Sequence, residues 1–215
     1  SGRPSRIMQE AWEAKKVILE NWSLCSLQQR LMAGAFGLPF MPTRSLAGSS
    51  LAEYNRDGFQ EIADPFSDKK AGMVAALKPD IAVIHGCMAD EYGNTVTIVP
   101  YGEDIWGPFA AGTVLVTVEK IVPAEVIRRY APLVKIPGAV VTAVAEAPFG
   151  LHPFSLATPG LPEVQEYEAD IPFLSDLHKA FADDESLDAW LEEWVFGCSS
   201  HEAYLEKLGK KRIEA

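Results

Sequence analysis

No stretch of the 215 residues approaches the roughly 20 consecutive apolar side chains that a bilayer-crossing helix needs. No contact with a membrane is therefore expected. Basic charge is scarce: 19 Lys and Arg stand against 30 Asp and Glu, a net charge of −11, and the only basic run lies at 207–212. A surface of that sign repels phosphate backbones, so nucleic acid is excluded as an expected partner. Cysteine is limited to Cys25, Cys87 and Cys198, with no CxxC among them. That pattern argues for a reducing compartment and against a disulfide framework or a zinc site, so no metal ligands are assigned. The first residues are polar and basic without a following apolar segment, so no signal peptide is expected and the cytoplasm is the default location. Also missing are GxSxG, GxxxxGK[ST], HExxH, and a GxGxxG after a strand. Serine-hydrolase, nucleotidase, dehydrogenase and zinc-protease chemistries thus lack their usual support.

What is present has the balance of a water-soluble globular chain, with 48 % hydrophobic and 23 % charged residues. Apolar runs alternate with helical patterns, which predicts an α/β fold: an open, mostly parallel sheet with helices on both faces. Residues 4–14 read as a helix with Ile7, Met8 and Trp12 on one side, and 17–19 as a short strand. Residues 23–36 read as a second helix, capped by Ser23 and followed by Gly37. Residues 38–57 lose periodicity and form a long loop, a length that is usually functional or disordered. Strands are expected at 80–85, buried on both faces, and at 94–99, 114–118 and 139–144, with a helix opening near Pro123. Two regions follow: an α/β domain over 1–162, and an acidic helical tail over 163–215. In the tail Trp190 and Trp194 lie one turn apart, on a face suited to packing on the sheet or on a partner. Because the chain opens inside a helix, strands that normally begin such a sheet are expected to be missing, leaving positions such as Val83 and Val116 without part of their cover.

Five places could carry chemistry. His85 ends a buried strand and Asp90 follows in an acidic turn, where open α/β sheets place ligands; a hydrogen-bonded strand end is the alternative. Glu146, Gly150 and His152 lie on a loop constrained by Pro148 and Pro153, open to ligand contact or to loop architecture alone. Glu119 follows a strand and could orient a substrate, or pair with Lys120 or Arg128. Glu20 could act as a general base if burial raised its pKa, or it could favour the start of the next helix. Arg44, Ser49 and Ser50 make a polar cluster able to hold a carboxylate or phosphate, or simply a solvated loop.

The order of motifs resembles that of the α (A-type) subunits of family I coenzyme A transferases. The likeness runs through Leu38-Pro39-Phe40-Met41-Pro42-Thr43-Arg44, Ala76-Leu77-Lys78-Pro79-Asp80, and His85 with Ala89-Asp90 and Gly93-Asn94. It continues in Val116-Thr117-Val118-Glu119-Lys120-Ile121-Val122 and in Pro148-Phe149-Gly150-Leu151-His152-Pro153. The glutaconate and 3-oxoacid transferase branch is the most similar. The resemblance implies an α/β fold and pairing with a β subunit, commonly as α2β2. It also implies transfer of coenzyme A between carboxylates, with acyl-CoA and carboxylate as substrates and no permanently bound cofactor. The nucleophilic glutamate of two-chain members belongs to the β subunit, so none is assigned here. Arg44, Ser49, Ser50, His85, Glu119, Glu146, Gly150 and His152 are then expected to line the substrate cleft. Relatives on the same scaffold open rings hydrolytically or decarboxylate, and Glu20, in Glu20-Asn21-Trp22-Ser23, is the position that matches their glutamate. A ligand-sensing or assembly module is the third reading.

Overall fold

In a computed structural model, residues 6–97, 101–102 and 105–214 are described, without the side chains of Ile7 and 210–214. Contacts divide the chain into two units: Glu20–Leu151 with Leu156–Tyr167, and Ser1–Leu19 with His152–Ser155 and Glu168–Ala215. The expected boundary at 162/163 therefore falls inside the first of these, and the opening helix Arg6–Glu13 groups with the tail.

The larger unit holds two sheets. Strands β1 (Phe40–Thr43), β2 (Phe59–Ala63) and β3 (Lys70–Ala75) form an antiparallel sheet in the order β1-β3-β2. None of the three coincides with an expected strand, and β1 and the helix Ser50–Tyr54 occupy the stretch 38–57 that the pattern predicts to be a loop. Pro42 and Gly72 blur the alternation that would signal these strands, which exist because they ladder onto one another.

The second sheet comprises β4 (Ile81–Ala89), β5 (Thr95–Thr97), β6 (Thr113–Ile121), β7 (Val134–Ile136) and β8 (Ala143–Glu146), in the order β7-β5-β4-β6-β8. Its α/β character is as expected, and β4, β6 and β8 run parallel. β5 and β7 are antiparallel additions, since the tight turn at 90–94 leaves β5 no crossover with which to reverse direction. Residues 98 and 99 of the strand expected at 94–99 lie outside the described residues. The strand expected at 139–144 begins late, at Ala143, because 138–140 make a 3-10 turn.

Burial corrects one expectation. The apolar run of β4 predicts cover on both faces, yet Ile81 is 57 % and Val83 69 % exposed while Ala82, Gly86 and Met88 are buried. Alternation sends the two exposed side chains to the face on which Leu115 of β6, paired with Val83, is also exposed. Val116 points the other way and is 2 % exposed, so only Val83 of the two positions lacks cover. The main core joins Cys87, Met88 and Val96 to Val122, Ile127, Leu156, Leu161 and Val164.

Helix ends follow their chemistry. Ser23 Oγ accepts from Ser26 N at 3.1 Å and opens the helix Leu24–Ala35. Pro123 caps the helix Ala124–Arg129 rather than entering its first turn. The run at 17–19 makes no strand: it has no ladder partner among the described residues, and Ile18 is almost fully exposed.

The helical unit contains Ile171–Ala180, Asp184–Leu191, a π-helical turn Glu192–Phe196, and His201–Glu214. Phe173 is its hub, with Trp190 and Trp194 edge-on at 5.6 and 4.8 Å. Among the described residues no helix is long and apolar enough to cross a membrane.

Candidate functional site

The parallel register of β4 on β6 sets His85 opposite Thr117, so Glu119 lies two residues further along on the same face. His85 Nε2 lies 2.9 Å from Glu119 Oε1, and Nδ1 lies 2.9 Å from Thr117 Oγ1. A carboxylate oxygen only accepts, which assigns the proton to Nε2 and leaves Nδ1 to accept from the threonine hydroxyl in the neutral ring. Two more donors reach the same carboxylate. Tyr167 OH donates to Oε1 at 2.6 Å, and Phe149 N donates to Oε2 at 2.6 Å. The Tyr167 hydroxyl in turn accepts from Leu151 N at 3.1 Å. One buried carboxylate thus ties two strands to the loop that follows β8 and to the returning segment at Tyr167. The side chains of His85 and Glu119 are only 11 % and 6 % exposed.

The loop itself is held in a costly shape. Phe149 has φ +59°, a left-handed conformation that few residues other than glycine adopt. Its ring stacks on Tyr167 at 4.5 Å, and its N–H is the one bound to Glu119. Gly150 then passes over the histidine ring. A β-carbon there would overlap His85 Cε1, lie 2.6 Å from Nδ1 and 2.9 Å from Ala147 O. Loop and imidazole therefore define one another's position.

Burial alone would push the Glu119 carboxyl up, but hydrogen bonds from His85, Tyr167 and Phe149 N outweigh it and hold the group below the usual carboxylate range. Tyr167 is raised, first by burial and then by the carboxylate its proton serves. Cys87 is raised to about 11, by burial and then by the Glu119 charge, so its thiol is not a nucleophile near neutral pH. The sign of the Glu119 effect is testable. A carboxyl depressed on folding contributes stability above its unfolded pKa, about 4.3, and loses it as pH falls through the lower folded value. The melting-temperature gap between the natural chain and Glu119→Gln should therefore narrow as pH is taken from about 6 to about 3. A gap that stays constant would show that the charge of Glu119 does not contribute.

The remaining candidates fall elsewhere. Glu146 ends β8 and its Oε2 accepts from Ile121 N at 2.7 Å, closing the end of the β6–β8 ladder. Asp90 is buried, accepting from Tyr92 N at 3.1 Å, Asn94 N at 2.9 Å and the Asn94 amide, which makes it the brace of the β4–β5 turn. His152 belongs to the helical unit, where its side chain is fully buried. Nε2 lies 3.3 Å from Asp170 Oδ2, Nδ1 bonds to Tyr204 OH, and the ring meets Phe173 edge-on at 4.7 Å. Its surroundings are those of a core histidine, built by residues too far along the chain for its motif to suggest.

Glu20 does not meet the condition set for a general base. It is exposed, and its carboxylate accepts from Trp22 Nε1 at 2.8 Å and pairs with Arg30 at 3.2 Å. Those contacts, the tryptophan first, lower its pKa. Arg44 lines a groove of about 800 Å3 with Gln29, Thr43, Ser45, Lys69 and Lys70. Ser49 and Ser50 are not among the lining residues, and Ser49 Oγ donates instead to Leu46 O at 2.6 Å. Sequence reasoning missed Thr117, Tyr167, Lys69 and Lys70. Alternation along β6 could have placed Thr117 beside Glu119, whereas nothing local marks Tyr167.

Comparison with known proteins gives this geometry a context. A family model described as Coenzyme A transferase matches residues 2–147. The A-type chain of glutaconate CoA-transferase from Acidaminococcus fermentans is 33 % identical over 224 residues, spanning 97 % of this chain and 68 % of its own. The crystal structure of that organism's glutaconate coenzyme A-transferase superposes with a TM-score of 0.82 at 32 % identity, again over 97 % and 68 % of the two chains. The A-type chain of 3-oxoadipate CoA-transferase from Pseudomonas knackmussii is 30 % identical over 194 residues, or 89 % and 64 % of the two chains. A protein of Archaeoglobus fulgidus is 35 % identical over 211 residues, 98 % of this chain but only 45 % of its own length. The chain thus spans between 45 % and 68 % of these relatives.

Proposed function

The chain belongs to the coenzyme A transferase family, and on that premise we propose that it acts as the α-type subunit of a heteromeric transferase that moves coenzyme A between carboxylic acids, with the nucleophilic glutamate on a partner β subunit. The two CoA-transferase relatives are both A-type chains, which supports a partner chain. The assembly proposed is α2β2, in the cytoplasm. The substrates are an acyl-CoA and a free carboxylate, with coenzyme A as substrate rather than resident cofactor.

The observation that carries the division of labour is the state of Glu119. To attack a thioester carbonyl, a carboxylate oxygen needs a lone pair open to the substrate; attack expels CoA thiolate and leaves an anhydride, which the thiolate then opens to a glutamyl thioester and a free acid. Both oxygens of Glu119 are engaged by His85, Tyr167 and Phe149 N, inside the protein. Glu146 and Glu20 use only Oε2, toward Ile121 N and toward Trp22 and Arg30 respectively, so this argument applies to Glu119 alone. The role that fits Glu119 is positioning: it holds the loop at 147–151 in the shape that presents its backbone to an acyl group.

Co-expression with a β-type subunit, followed by transfer assays from a panel of acyl-CoA donors to acetate or dicarboxylates, tests the proposal. Transfer is expected only when both chains are present. Transfer by this chain purified alone would overturn the assignment of the nucleophile. Coenzyme A released to water without transfer would move the reading to the ring-opening hydrolases and decarboxylases, with Glu20→Gln as the next variant. Sugar-phosphate binding with no affinity for any CoA ester would instead indicate a sensing module.

A further inference from the structure

The groove beside β1 and β3 stands apart from the rest of an acidic chain. Three cations line it, Arg44, Lys69 and Lys70, against one anion, Asp64, whereas the chain as a whole carries −11. The Asp64 carboxylate is already used, accepting from Phe66 N at 2.9 Å and Ser67 Oγ at 2.6 Å. Lys70 approaches Glu61 only at 3.8 Å, and both side chains are well exposed. Arg44 and Lys69 have no ion-pair partner among the described residues.

The wall beside the cations is tied by hydrogen bonds. Thr43 is buried, and its hydroxyl donates to Gln29 Oε1 at 2.6 Å while accepting from Ser45 N at 3.0 Å. Gln29 Nε2 returns a bond to Pro42 O at 3.3 Å, locking the helix Leu24–Ala35 to β1. At about 800 Å3 the groove is of the size that accommodates a small molecule. A guanidinium flanked by two ammonium groups, with Asp64 the single anion in the lining, is suited to an oxyanion with two or more acceptor oxygens.

We propose that Arg44, Lys69 and Lys70 form an anion subsite that holds a carboxylate or phosphate group of the substrate other than the group that reacts. The inference rests on the transferase reading for its choice of substrate, and on the groove alone for its chemistry. A second carboxylate of a dicarboxylic acyl group and a phosphate of coenzyme A present the same oxygens, so the ligand panel separates them.

Binding is measured by calorimetry on the full chain at low salt, with coenzyme A set against pantetheine, which lacks the phosphates, and glutarate set against butyrate, which lacks the second carboxylate. Coenzyme A or glutarate is expected to bind more tightly than its counterpart. Arg44→Gln should weaken that ligand about tenfold, Lys69→Gln with Lys70→Gln should weaken it further, and added salt should weaken the natural chain. Preference for coenzyme A assigns the groove to phosphate, and preference for glutarate assigns it to carboxylate. All three positions are exposed, so unchanged melting curves verify the fold of the variants. Binding of none of these probes, or binding indifferent to the substitutions, overturns the inference. The transferase reading has its own readout: a two-chain complex that transfers coenzyme A with unchanged kcat/KM after Arg44→Gln sinks the subsite and leaves that reading standing.

Discussion

Replacing Glu119 by alanine should lower the unfolding free energy by about 3–5 kcal/mol, because it removes one buried acceptor that serves three donors. The physical reason is what the alanine leaves behind. His85 Nε2, Tyr167 OH and Phe149 N all lose their acceptor at once, and the side chains involved are largely out of reach of water. Each buried donor left unsatisfied costs about 1–3 kcal/mol. For a chain of this length the loss corresponds to a fall of roughly 10 °C in melting temperature. Glu119→Gln keeps the shape and one acceptor oxygen, and should retain about half of the lost stability. Thermal and urea melts of both variants check this. A loss below about 1 kcal/mol in the alanine variant would mean that water replaces the carboxylate, and that the cluster is far looser than its distances imply.

Gly150→Ala should cost about 2–3 kcal/mol, although it adds a single methyl group. The methyl would meet the edge of the His85 ring and the Ala147 carbonyl, and the ring cannot swing aside without losing Thr117 or Glu119. The decisive experiment is a double-mutant cycle. Adding His85→Ala removes the obstacle, so the cost of Gly150→Ala should fall by at least about 1 kcal/mol in that background. Additive losses would show that the glycine is needed for its own backbone rather than for the ring beneath it. In the two-chain assay, Gly150→Ala should reduce transfer, since the same methyl pushes on the loop proposed to face the acyl group.

Much of this cluster is legible residue by residue, but not as a cluster. His85, Glu119 and Gly150 each stand out, because each follows an apolar run that forms β4, β6 or β8. What the linear pattern lacks is register. Pairing of His85 with Thr117 is a property of two strands aligned across 32 residues of chain, and a slip of one residue would send Glu119 to the opposite face. Tyr167 is reached through an irregular segment with a single bridge, Leu156 to Tyr167, which has no periodicity to read. His152 shows the reverse error. Its motif places it beside Gly150, yet Tyr204 and Phe173, more than fifty and some twenty residues on, draw it into the helical unit. The antiparallel sheet escapes the pattern because β1 and β3 are short and carry Pro42 and Gly72, so ladder pairing outweighs weak local preference. The helix Leu24–Ala35, by contrast, is readable to within a residue, since Ser23 and Gly37 act locally.

The meeting of His85, Glu119, Phe149 N, Gly150 and Tyr167 also sets how this protein can change over time. A glutamate that serves three donors cannot be exchanged alone, a glycine packed on a ring cannot grow while the ring remains, and a tyrosine cannot become phenylalanine without taking a donor from Glu119 and the acceptor from Leu151 N. Single steps at these positions pass through intermediates several kcal/mol less stable, a large part of the 5–15 kcal/mol that holds most domains together. Across related sequences His85, Glu119, Gly150 and Tyr167 are therefore expected to be kept or replaced as a set, while Glu20 and Ser50 drift independently.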